Sequence, residues 1–463
     1  MTKRVLTLAL ALAAVSLAWP DLTRPAVTGT DGELHTAGQV IIELVPGLRG
    51  QVRLSEADGI AFFGVPALDE LSIRWGVDEI APLMRHPEPS EIARAYGCDL
   101  QYLVQFRVDQ DIAPVMADYE ATGLVDYACP NALMALDELP DDPELNRQWH
   151  IPTIGAAHAW GVAKGDTNVA NCVIDDGCDW KHPDIEANLW INHPEDINGN
   201  GRFDSLYAPD GDLDGIDQDG NGYADDVIGF NFVYGTPNPM PQNGDDHGTH
   251  CWGNINAVTN NATGVAGVTW NSRSVAVCCG GGGFVNLSAA ISSIYYGVPL
   301  GVWAFSMSFG GNSPYPPMRD ACGSAWSSGS VLYGSAGNEG GELVRYPANY
   351  DGVENVAASS SGDMKAGFSN YGTWVDVTAP GDGIYATYTR YSGSYGSMSG
   401  TSMSCPMAAG VAAWMKSFEP TMSNVACTAR MHAACDSMPD PLYAQGKLGA
   451  GRVSMANVVL PLY

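Results

Sequence analysis

Apolar residues beyond residue 144 fall in short continuous runs, separated by polar and glycine-rich turns. Runs of this length are typical of strands that are buried on both faces of a sheet. The predicted strands are 169–174, 274–277, 302–307, 331–334 and 353–358. Two longer segments, 287–296 and 404–416, predict helices. Because strands alternate with helices, the pattern predicts an α/β fold with a mostly parallel central sheet.

The preceding region, up to about residue 140, has a different pattern. Apolar runs predict strands at 40–45, 102–108 and 125–134, and helix-like spacing covers 111–122. These elements predict a small α+β unit. The turn sequence Pro-Asp-Asp-Pro at 140–143 then separates this unit from the α/β region.

The first twenty residues have the features of an export signal. Lys3 and Arg4 precede an apolar run at 5–17 that is too short to span a bilayer, and Ala18 supplies a small residue for cleavage. We therefore predict a signal peptide at 1–18 rather than an N-terminal core helix. No later stretch has the length and hydropathy of a membrane span. The mature protein is expected to be secreted, free or at the cell surface.

The formal charge argues against one class of partner. The 463 residues include 52 acidic and 22 basic side chains, a net charge of −30, whereas nucleic-acid binding needs a basic face. The same surplus of carboxylates is compatible with bound cations. Apolar residues make up 45% of the chain, which provides a sizeable core and excludes a disordered or fibrous protein.

The chain contains 11 cysteines. Export would place them in an oxidising compartment, so we expect disulfides. The odd number leaves at least one thiol unpaired, or paired between chains. Their spacing does not match that of a zinc finger, so a structural zinc site is not expected.

Three short motifs offer a carboxylate, an imidazole and a hydroxyl. Asp175 follows the predicted strand at 169–174, His247 opens a predicted helix, and Ser402 lies in a tight turn before the helix at 404–416. Each motif alone is ambiguous; an aspartate after a strand, for example, is a common loop cap. The histidines lack the HExxH spacing of a zinc protease, and the serine lacks the GxSxG of an α/β-hydrolase. The order Asp, His, Ser along the chain is the order found in subtilisin.

Together, these motifs resemble those of the subtilisin-like serine proteases, or subtilases. The resemblance extends from about residue 143 to about residue 460. The segments that carry it are 174–177, 247–250, 264–268, 306–311, 335–340, 368–372 and 400–403. It implies a subtilisin-like three-layer fold and a serine endopeptidase that works through an acyl-enzyme intermediate.

The resemblance also implies roles for individual residues. Ser402 would be the nucleophile, His247 the general base and Asp175 the group that orients the imidazole. Asn338 would donate a hydrogen bond to the oxyanion, together with the backbone N–H of Ser402. Two segments would bind substrate. The first would pair with the substrate backbone. The second would line the pocket for P1, the substrate residue before the scissile bond. These segments are Ser308, Phe309 and Gly310, and Ala336 and Gly337.

A few positions depart from the commoner family pattern or allow alternatives. Asp176 resembles kexin-type subtilases but does not establish their dibasic specificity. Cys251, one helical turn after His247, resembles the free cysteine of the proteinase K branch. We expect Cys251 to be the unpaired thiol; the alternative is a bond to Cys405. Phe309 either narrows an apolar subsite or only packs.

An acidic insertion at 195–226 lies between the aspartate and histidine motifs. It repeats oxygen-bearing residues at loop positions 1, 3 and 5 with glycine at 6, the spacing used for hard cations, although the glutamate at position 12 of an EF-hand is missing. We predict one or more structural Ca²⁺ ions, which many subtilases carry in such insertions. The alternative is a solvated acidic loop. The predicted ligands are Asp196, Asn198, Asn200, Asp204, Asp210, Asp212, Asp214, Asp217, Asp219, Asn221 and Asp225.

We predict three segments along the chain: the signal peptide at 1–18, a prosegment at 19–140 and the catalytic domain at 141–463. Subtilase prosegments template folding and inhibit the enzyme, and a parallel sheet, which folds slowly, gives a physical reason for such a template. The chain is expected to act as a monomer on protein or peptide substrates, with its own prosegment as an intramolecular inhibitor. The alternatives are a permanent accessory domain at 19–140 and, for the whole chain, a catalytically silent calcium-binding or adhesive protein.

Overall fold

The structure is a computed structural model. It describes residues 26–28, 34–84, 89–106, 111–132, 139–242 and 244–459. The predicted signal peptide lies outside these residues. The chain forms two compact units, one within residues 1–134 and one within residues 135–459. Within the described residues, no helix is long and apolar enough to cross a membrane.

The N-terminal unit is a small α+β fold. Its strands are β1 (Ala26–Thr28), β2 (Leu34–Leu44), β3 (Ser55–Ala57), β4 (Ile60–Phe62), β5 (Val77–Pro82), β6 (Gln101–Phe106) and β7 (Val125–Ala132). Its helices are α1 (Pro66–Trp75), α2 (Glu91–Ala95) and α3 (Ile112–Ala121). Strands β7, β2, β6 and β5 form an antiparallel sheet in that order, and β1 also pairs with β2.

Helices α1 and α3 give this unit a split β-α-β arrangement of the ferredoxin-like kind, because α1 joins β2 to β5 and α3 joins β6 to β7. The Asp111 side chain accepts a hydrogen bond from the backbone of Ala113 and so caps α3. Val115 and Tyr119 on α3 pack with Val40 of β2 in one apolar core. The predicted α+β pattern is therefore present over the described part of this region.

The second unit contains the predicted α/β pattern. Its strands are β8 (Ala170–Val173), β9 (Gly229–Asn231), β10 (Arg273–Cys278), β11 (Gly280–Gly281), β12 (Phe284–Val285), β13 (Val302–Met307), β14 (Val331–Ser335), β15 (Val353–Ser359), β16 (Val377–Pro380), β17 (Ile384–Thr387) and β18 (Tyr395–Met398). Its helices are α4 (His150–Thr153), α5 (Ala156–Val162), α6 (His247–Asn256), α7 (Leu287–Gly297), α8 (Pro316–Ser327), α9 (Thr401–Phe418), α10 (Asn424–Ala434), α11 (Pro441–Ala444) and α12 (Met455–Val459).

Seven parallel strands form the central sheet in the order β16-β15-β14-β13-β8-β10-β9. Strand β8 lies where the direction of strand addition reverses, with β13 on one side and β10 on the other. In open α/β sheets, ligands bind outside the carboxyl ends of the strands at such a point. Val173 of β8 lies opposite Ser306 of β13. The residues that follow these two strands, Asp175 and Ser308, therefore come to the same edge of the sheet.

Helices cover both faces of the central sheet. On one face, α7 and α8 pack against the sheet in a core that includes Ile294, Met318 and Phe305. Helices α6 and α9 pack against each other, and α9 lies along β13 to β16 on the other face. This arrangement of helices, sheet and helices is the predicted three-layer fold.

The structure does not support the expected disulfides. All 11 cysteines lie among the described residues, and each is a free thiol, including Cys251 and Cys405. Cys172, Cys279 and Cys322 are fully buried in the core between the sheet and α7 and α8. There, each thiol packs as a small apolar side chain. Export permits disulfides but does not require them, and a chain of this length can bury a large core without them.

Candidate active site

Asp175 lies directly beyond β8, in line with the sequence prediction. The Ile174 N–H donates to the carbonyl of Ser306 at 3.0 Å, which continues the sheet pairing by one residue and fixes the exit of the strand. The Asp175 side chain is 2% exposed. Its Oδ1 is 2.8 Å from His247 Nδ1 and accepts the Asp176 N–H at 2.9 Å. A buried carboxylate in this position holds the imidazole by Nδ1 and leaves Nε2 for chemistry.

His247 is the first residue of α6, as the sequence predicted. Gly248 permits the close approach of this helix to the end of β8, because a Cβ at position 248 would lie 2.3 Å from the carbonyl oxygen of Gly177. The Gly248 N–H donates to Asp176 Oδ1 at 2.8 Å, which ties the helix N-terminus to the same loop. The His247 side chain is 37% exposed and so remains accessible from the cleft.

Ser402 lies within the first turn of α9 rather than in a turn before the helix, because α9 begins at Thr401. Its Oγ donates to the carbonyl of Ser308 at 3.2 Å, and Ser308 Oγ donates back to the carbonyl of Ser402 at 2.8 Å. The Cys251 thiol also lies 3.3 Å from that carbonyl. These contacts hold the start of α9 against the residue that follows β13 and against the middle of α6. Ser402 and His247 line the same cleft.

Asn338 follows β14 and contacts Thr401, the residue before Ser402. Its Oδ1 accepts hydrogen bonds from the N–H and the Oγ1 hydroxyl of Thr401, each at 2.9 Å. A backbone N–H can only donate, so this contact identifies the side-chain oxygen and leaves Nδ2 as the free donor. Thr401 Oγ1 also accepts the Gly337 N–H at 3.1 Å. Thr401 therefore sets the orientation of the Asn338 amide.

Asn370 supports the loop that carries Asn338, a role that the sequence did not predict. Its side chain is fully buried. Its Oδ1 accepts the N–H groups of Glu339 and Gly341, and its Nδ2 donates to the carbonyls of Ala336 and Leu343. One amide thus fastens four positions of the loop. The family-like segment at 368–372 was the available signal, but it did not reveal these contacts.

The cleft beside Ser402 has a volume of about 580 Å³. Ser308, Phe309 and Gly310 line it, as do Asp175, Asp176 and His247. Phe309 also packs against the core beneath the sheet, so it contributes to both the cleft and the packing. Four aromatic side chains also line the cleft; they are Phe284, Tyr315, Tyr346 and Tyr350. The cleft therefore offers both charged and aromatic side chains to a ligand.

Burial and a neighbouring charge act on the pKa of His247 in opposite directions. Burial lowers the pKa of His247, whereas the adjacent Asp175 carboxylate raises it, and the net effect is a pKa well above the ordinary value. Burial, followed by the charge of Asp175, raises the pKa of Asp176 to about 7. Two carboxylates side by side cannot both ionise freely, so Asp176 keeps its proton to a higher pH than an exposed aspartate does.

The predicted calcium ligands between residues 196 and 212, apart from Asp210, lie close to one another around Asp212. Asn198 and Asn200 both donate side-chain hydrogen bonds to Asp204, and Asp196 Oδ1 accepts the N–H of Asn200. Asp212 is fully buried; its Oδ2 accepts the Asp204 N–H at 2.7 Å, and its Oδ1 has no hydrogen-bond partner among the described residues. A buried carboxylate oxygen of this kind requires a cation or a water molecule.

The remaining predicted ligands form two loops whose carboxylates accept backbone hydrogen bonds. Asp217 Oδ1 accepts the N–H groups of Gly220 and Asn221. Asp225 Oδ1 accepts the N–H groups of Asp214 and Gly215. Asp210 is exposed and separate from these hydrogen bonds. The local loop geometry thus follows the sequence spacing, but the structure does not gather all the predicted ligands at one point.

A further carboxylate cluster includes two residues outside the predicted ligand set. Glu195, Asp219 and Asp226 each offer an oxygen, and these oxygens lie within 4.8 Å of one another. Glu195 and Asp226 are fully buried, and burial raises the pKa of both. Sequence reasoning missed them as ligands because they lie outside the 1-3-5 spacing. Folding brings them together across the insertion.

Comparisons with known proteins agree with this geometry. The family model described as "Subtilase family" matches residues 166–451. Thermitase of Thermoactinomyces vulgaris is 33% identical over 69% of this chain and 99% of thermitase. The halolysin-like extracellular serine protease Nep of Natrialba magadii is 31% identical over 71% of this chain and 54% of its own length.

A solved structure gives the same result at the level of the fold. It belongs to a protease from Pseudoalteromonas arctica PAMC 21717, and the match covers 70% of this chain and 99% of that chain. The TM-score is 0.55 and the sequence identity is 28%. The matched family region contains the strands and helices that position Asp175, His247, Asn338 and Ser402. The chain therefore belongs to the subtilase family and is a subtilisin-like serine endopeptidase.

Proposed function

We propose that this endopeptidase is secreted as a calcium-stabilised zymogen and cleaves peptide bonds through Asp175, His247 and Ser402. The observation that carries the assignment of roles is the 2.8 Å contact between His247 Nδ1 and the buried Asp175, in the same cleft as Ser402. This set combines the order Asp, His, Ser along the chain with a shared position at the cleft.

In the proposed reaction, Ser402 Oγ attacks the scissile carbonyl carbon while His247 Nε2 takes the hydroxyl proton. The Asp175 carboxylate stabilises the imidazolium that forms. When the tetrahedral intermediate collapses, the C–N bond breaks and His247 gives its proton to the leaving amine. Water then repeats the sequence on the acyl-enzyme, with His247 again as the base, and Ser402 regains its proton.

The negative charge of the tetrahedral intermediate would be stabilised by two donors, Asn338 Nδ2 and the Ser402 N–H. Thr401 supports this role because it holds the Asn338 oxygen on the opposite side, so Nδ2 needs no reorientation during the reaction. Ser308, Phe309 and Gly310 would pair with the substrate backbone, and Ala336 and Gly337 would line the P1 pocket. The aromatic side chains of the cleft would favour an apolar side chain further along the substrate.

Calcium would bind in the acidic insertion. The unpartnered Asp212 Oδ1 and the cluster of Glu195, Asp219 and Asp226 fit a hard cation, because carboxylate oxygens are its preferred ligands and the buried charges repel one another without it. The ion would supply structural charge compensation only, and no catalytic step passes through it. Asp196 would bind the same ion as Asp212.

The zymogen proposal rests on the separate N-terminal unit, and the secretion proposal on the export-like first 18 residues and the extracellular relative. We propose that residues 19–140 form an inhibitory prosegment that Ser402 removes by cutting between residues 136 and 145. In this proposal, the mature enzyme acts as a monomer on protein or peptide substrates. The net charge of −30 gives no basis for a nucleic-acid partner.

Mass spectrometry of the proprotein and of its Ser402→Ala variant tests the proposal. Each protein is purified and incubated with Ca²⁺, and its intact mass is followed over time. We expect the parent to lose about 120 residues after the predicted signal peptide, the length set by the turn at 140–143. The Ser402→Ala variant should keep its full mass, because it lacks the nucleophile.

The outcomes separate the proposed roles. Processing of both proteins would show that another protease removes the segment, and processing of neither would contradict self-activation. If the unprocessed parent also failed to cleave an added protein substrate, the catalytically silent binding protein would become the better description. A Ser404→Ala variant provides the matched control, since Ser404 lies one residue beyond Met403 in the same helix and its hydroxyl bonds to Ala379 instead.

A further inference from the structure

Arg345 lies between the two segments that the proposed function assigns to substrate binding. Its Nη2 donates to the carbonyl of Gly310 at 3.2 Å. On the other side, a Cβ added to Gly337 would lie 2.8 Å from Arg345 Cγ. The arginine therefore occupies the space that side chains at both glycine positions would otherwise reach. It is 22% exposed, so the guanidinium is partly withdrawn from solvent.

The backbone next to Arg345 is fixed to the first of these segments. The Gly311 N–H donates to the carbonyl of Tyr346 at 2.8 Å, and the Tyr346 N–H donates to the carbonyl of Gly311 at 2.9 Å. Arg345 Nη1 also donates to Asn312 Oδ1. These contacts set the position of the guanidinium relative to Gly310 rather than leaving it on a mobile side chain.

The proposed reaction identifies which substrate side chain meets this arginine. The attacked carbonyl must lie between Ser402 and the amide of Asn338, and the adjoining backbone pairs beside Ser308. The side chain before the scissile bond then points between the 308–310 and 336–338 segments. That is the space bounded by Arg345. In this arrangement the guanidinium is a charged group that the P1 side chain would meet.

Glu339 neutralises this charge only in part. Its Oε1 lies 3.4 Å from Arg345 Nη1, longer than a strong charge-assisted hydrogen bond, and its side chain is 38% exposed. Its Oε2 accepts a hydrogen bond from Asn370 Nδ2 at 2.6 Å, which holds the carboxylate to its own loop. A guanidinium has five N–H donors, and the contacts described leave some of them free for a further acceptor.

We propose that Arg345 makes this enzyme select substrates with an acidic residue at P1, glutamate above all. The inference rests on the proposed roles of Ser402 and Asn338. A P1 carboxylate would bind the free edge of the guanidinium in a charge-assisted pair, in a site that the substrate itself shields from water. A P1 glutamine of the same shape would lose that charge. Glu339 competes for the same guanidinium and limits the preference.

The test compares peptide substrates that differ only at P1. The substrates are succinyl-Ala-Ala-Pro-Xaa p-nitroanilides with Glu, Gln or Phe at Xaa, and kcat/KM is measured for the mature enzyme at pH 8. We expect Glu to exceed Gln by about tenfold or more, the effect of one hydrogen bond to a charged group. The ratio should fall as salt is raised, because the selection is electrostatic.

Three variants locate the effect. Arg345→Gln should bring the ratio of Glu to Gln to about one, because it removes the charge that distinguishes the two substrates. Glu339→Gln should raise the ratio above that of the parent, since it removes the competing carboxylate. Arg319→Gln, on the exposed face of α8 beside Asp320, is the matched control and should leave the ratio unchanged.

The results separate failure of the inference from failure of the proposed function. If the parent hydrolyses the Gln or Phe substrate but does not prefer Glu, Arg345 does not select an acidic P1. The same conclusion follows if Arg345→Gln keeps the preference. If the Glu339→Gln variant shows no increase in the ratio of Glu to Gln, Glu339 does not compete with the substrate for the Arg345 guanidinium. If the parent hydrolyses none of the three substrates, the proposed P1 pocket and the catalytic roles on which it rests are contradicted together.

Discussion

At the scale of single residues, Asp176 places a second buried carboxylate beside Asp175. Its carboxylate is 5% exposed, adjoins Asp175 and accepts the N–H of Gly248 at the start of α6. Burial and the charge of Asp175 raise its pKa from 3.8 to about 7. The ionised form of Asp176 is therefore less favourable in the folded protein than in the unfolded chain.

The sign of this shift leads to a prediction on stability. The cost of ionising Asp176 is absent well below pH 4 and reaches its full size above about pH 7, at most about 4 kcal/mol by the shift in pKa. In a Ser402→Ala background that prevents autolysis, Asp176→Asn should raise Tm by about 3 °C or more at pH 8.5. The gain should shrink towards pH 5. Calorimetry or thermal circular dichroism at the two pH values measures it.

Asparagine is the appropriate replacement because its Oδ1 can still accept the Gly248 N–H. Asp320→Asn, an exposed carboxylate on α8 beside Arg319, controls for the loss of one negative charge from an acidic chain. Equal gains at both pH values, or an equal gain in the control, would contradict an origin in the titration of Asp176.

The proposed catalytic residues could be selected from the sequence, whereas the residues that orient them could not. Asp175, His247 and Ser402 stand in short local motifs of known order. Thr401 and Asn370 act through contacts across 63 and 31 residues of chain, with Asn338 and Glu339 respectively. Such contacts depend on the folded backbone, and no local spacing reveals them.

At the scale of elements, hydrophobic runs located the buried strands well and the short edge elements poorly. The run at 302–307 coincides with β13, and the run at 353–358 lies within β15. Strand β9 has only three residues, and the four residues of β16 include a threonine and a proline, so neither forms a recognisable apolar run. Helix α9 begins three residues before the predicted start, because Thr401 and Ser402 are polar and hide its first turn.

The acidic insertion gives a prediction at this scale. If Asp212 binds Ca²⁺, Asp212→Asn should lower its affinity and raise the Ca²⁺ concentration needed for thermal protection by about tenfold or more, since a bound ion stabilises the fold according to its concentration and affinity. Titration of Tm with CaCl₂ after EDTA treatment, in the Ser402→Ala background, measures this midpoint.

Asp210 provides the matched control for that experiment. It lies two residues from Asp212 and carries the same charge, but it is exposed. Asp210→Asn should shift the Ca²⁺ midpoint much less than Asp212→Asn. Equal shifts would favour a diffuse effect of charge, and Tm values that do not respond to Ca²⁺ would favour the solvated acidic loop.

At the scale of the whole molecule, the two units have different folding problems. The N-terminal unit pairs its strands antiparallel, with β2 against β6 and β6 against β5. The second unit joins β8 to β13 across more than a hundred residues and contains a parallel sheet of seven strands. Because non-local parallel pairing must close long loops before it gains contacts, the second unit is expected to fold slowly without help.

This difference leads to a prediction for the proposed prosegment. Residues 141–463 carrying Ser402→Ala should refold from denaturant at least about tenfold more slowly when alone than when residues 19–140 are added in trans. Near-ultraviolet circular dichroism follows the return of tertiary structure. Equal refolding rates would favour a permanent accessory domain over a folding template, and an unrelated acidic protein at the same concentration controls for crowding.

The free thiols have a consequence for how the protein can be made. All 11 cysteines are reduced in the structure, and eight of them are buried. The native state is therefore defined by noncovalent packing, and its formation consumes no oxidant and requires no disulfide isomerase. Production of the protein can accordingly be separated from export: a reducing bacterial cytosol, or a refolding buffer with millimolar dithiothreitol, suits this chain.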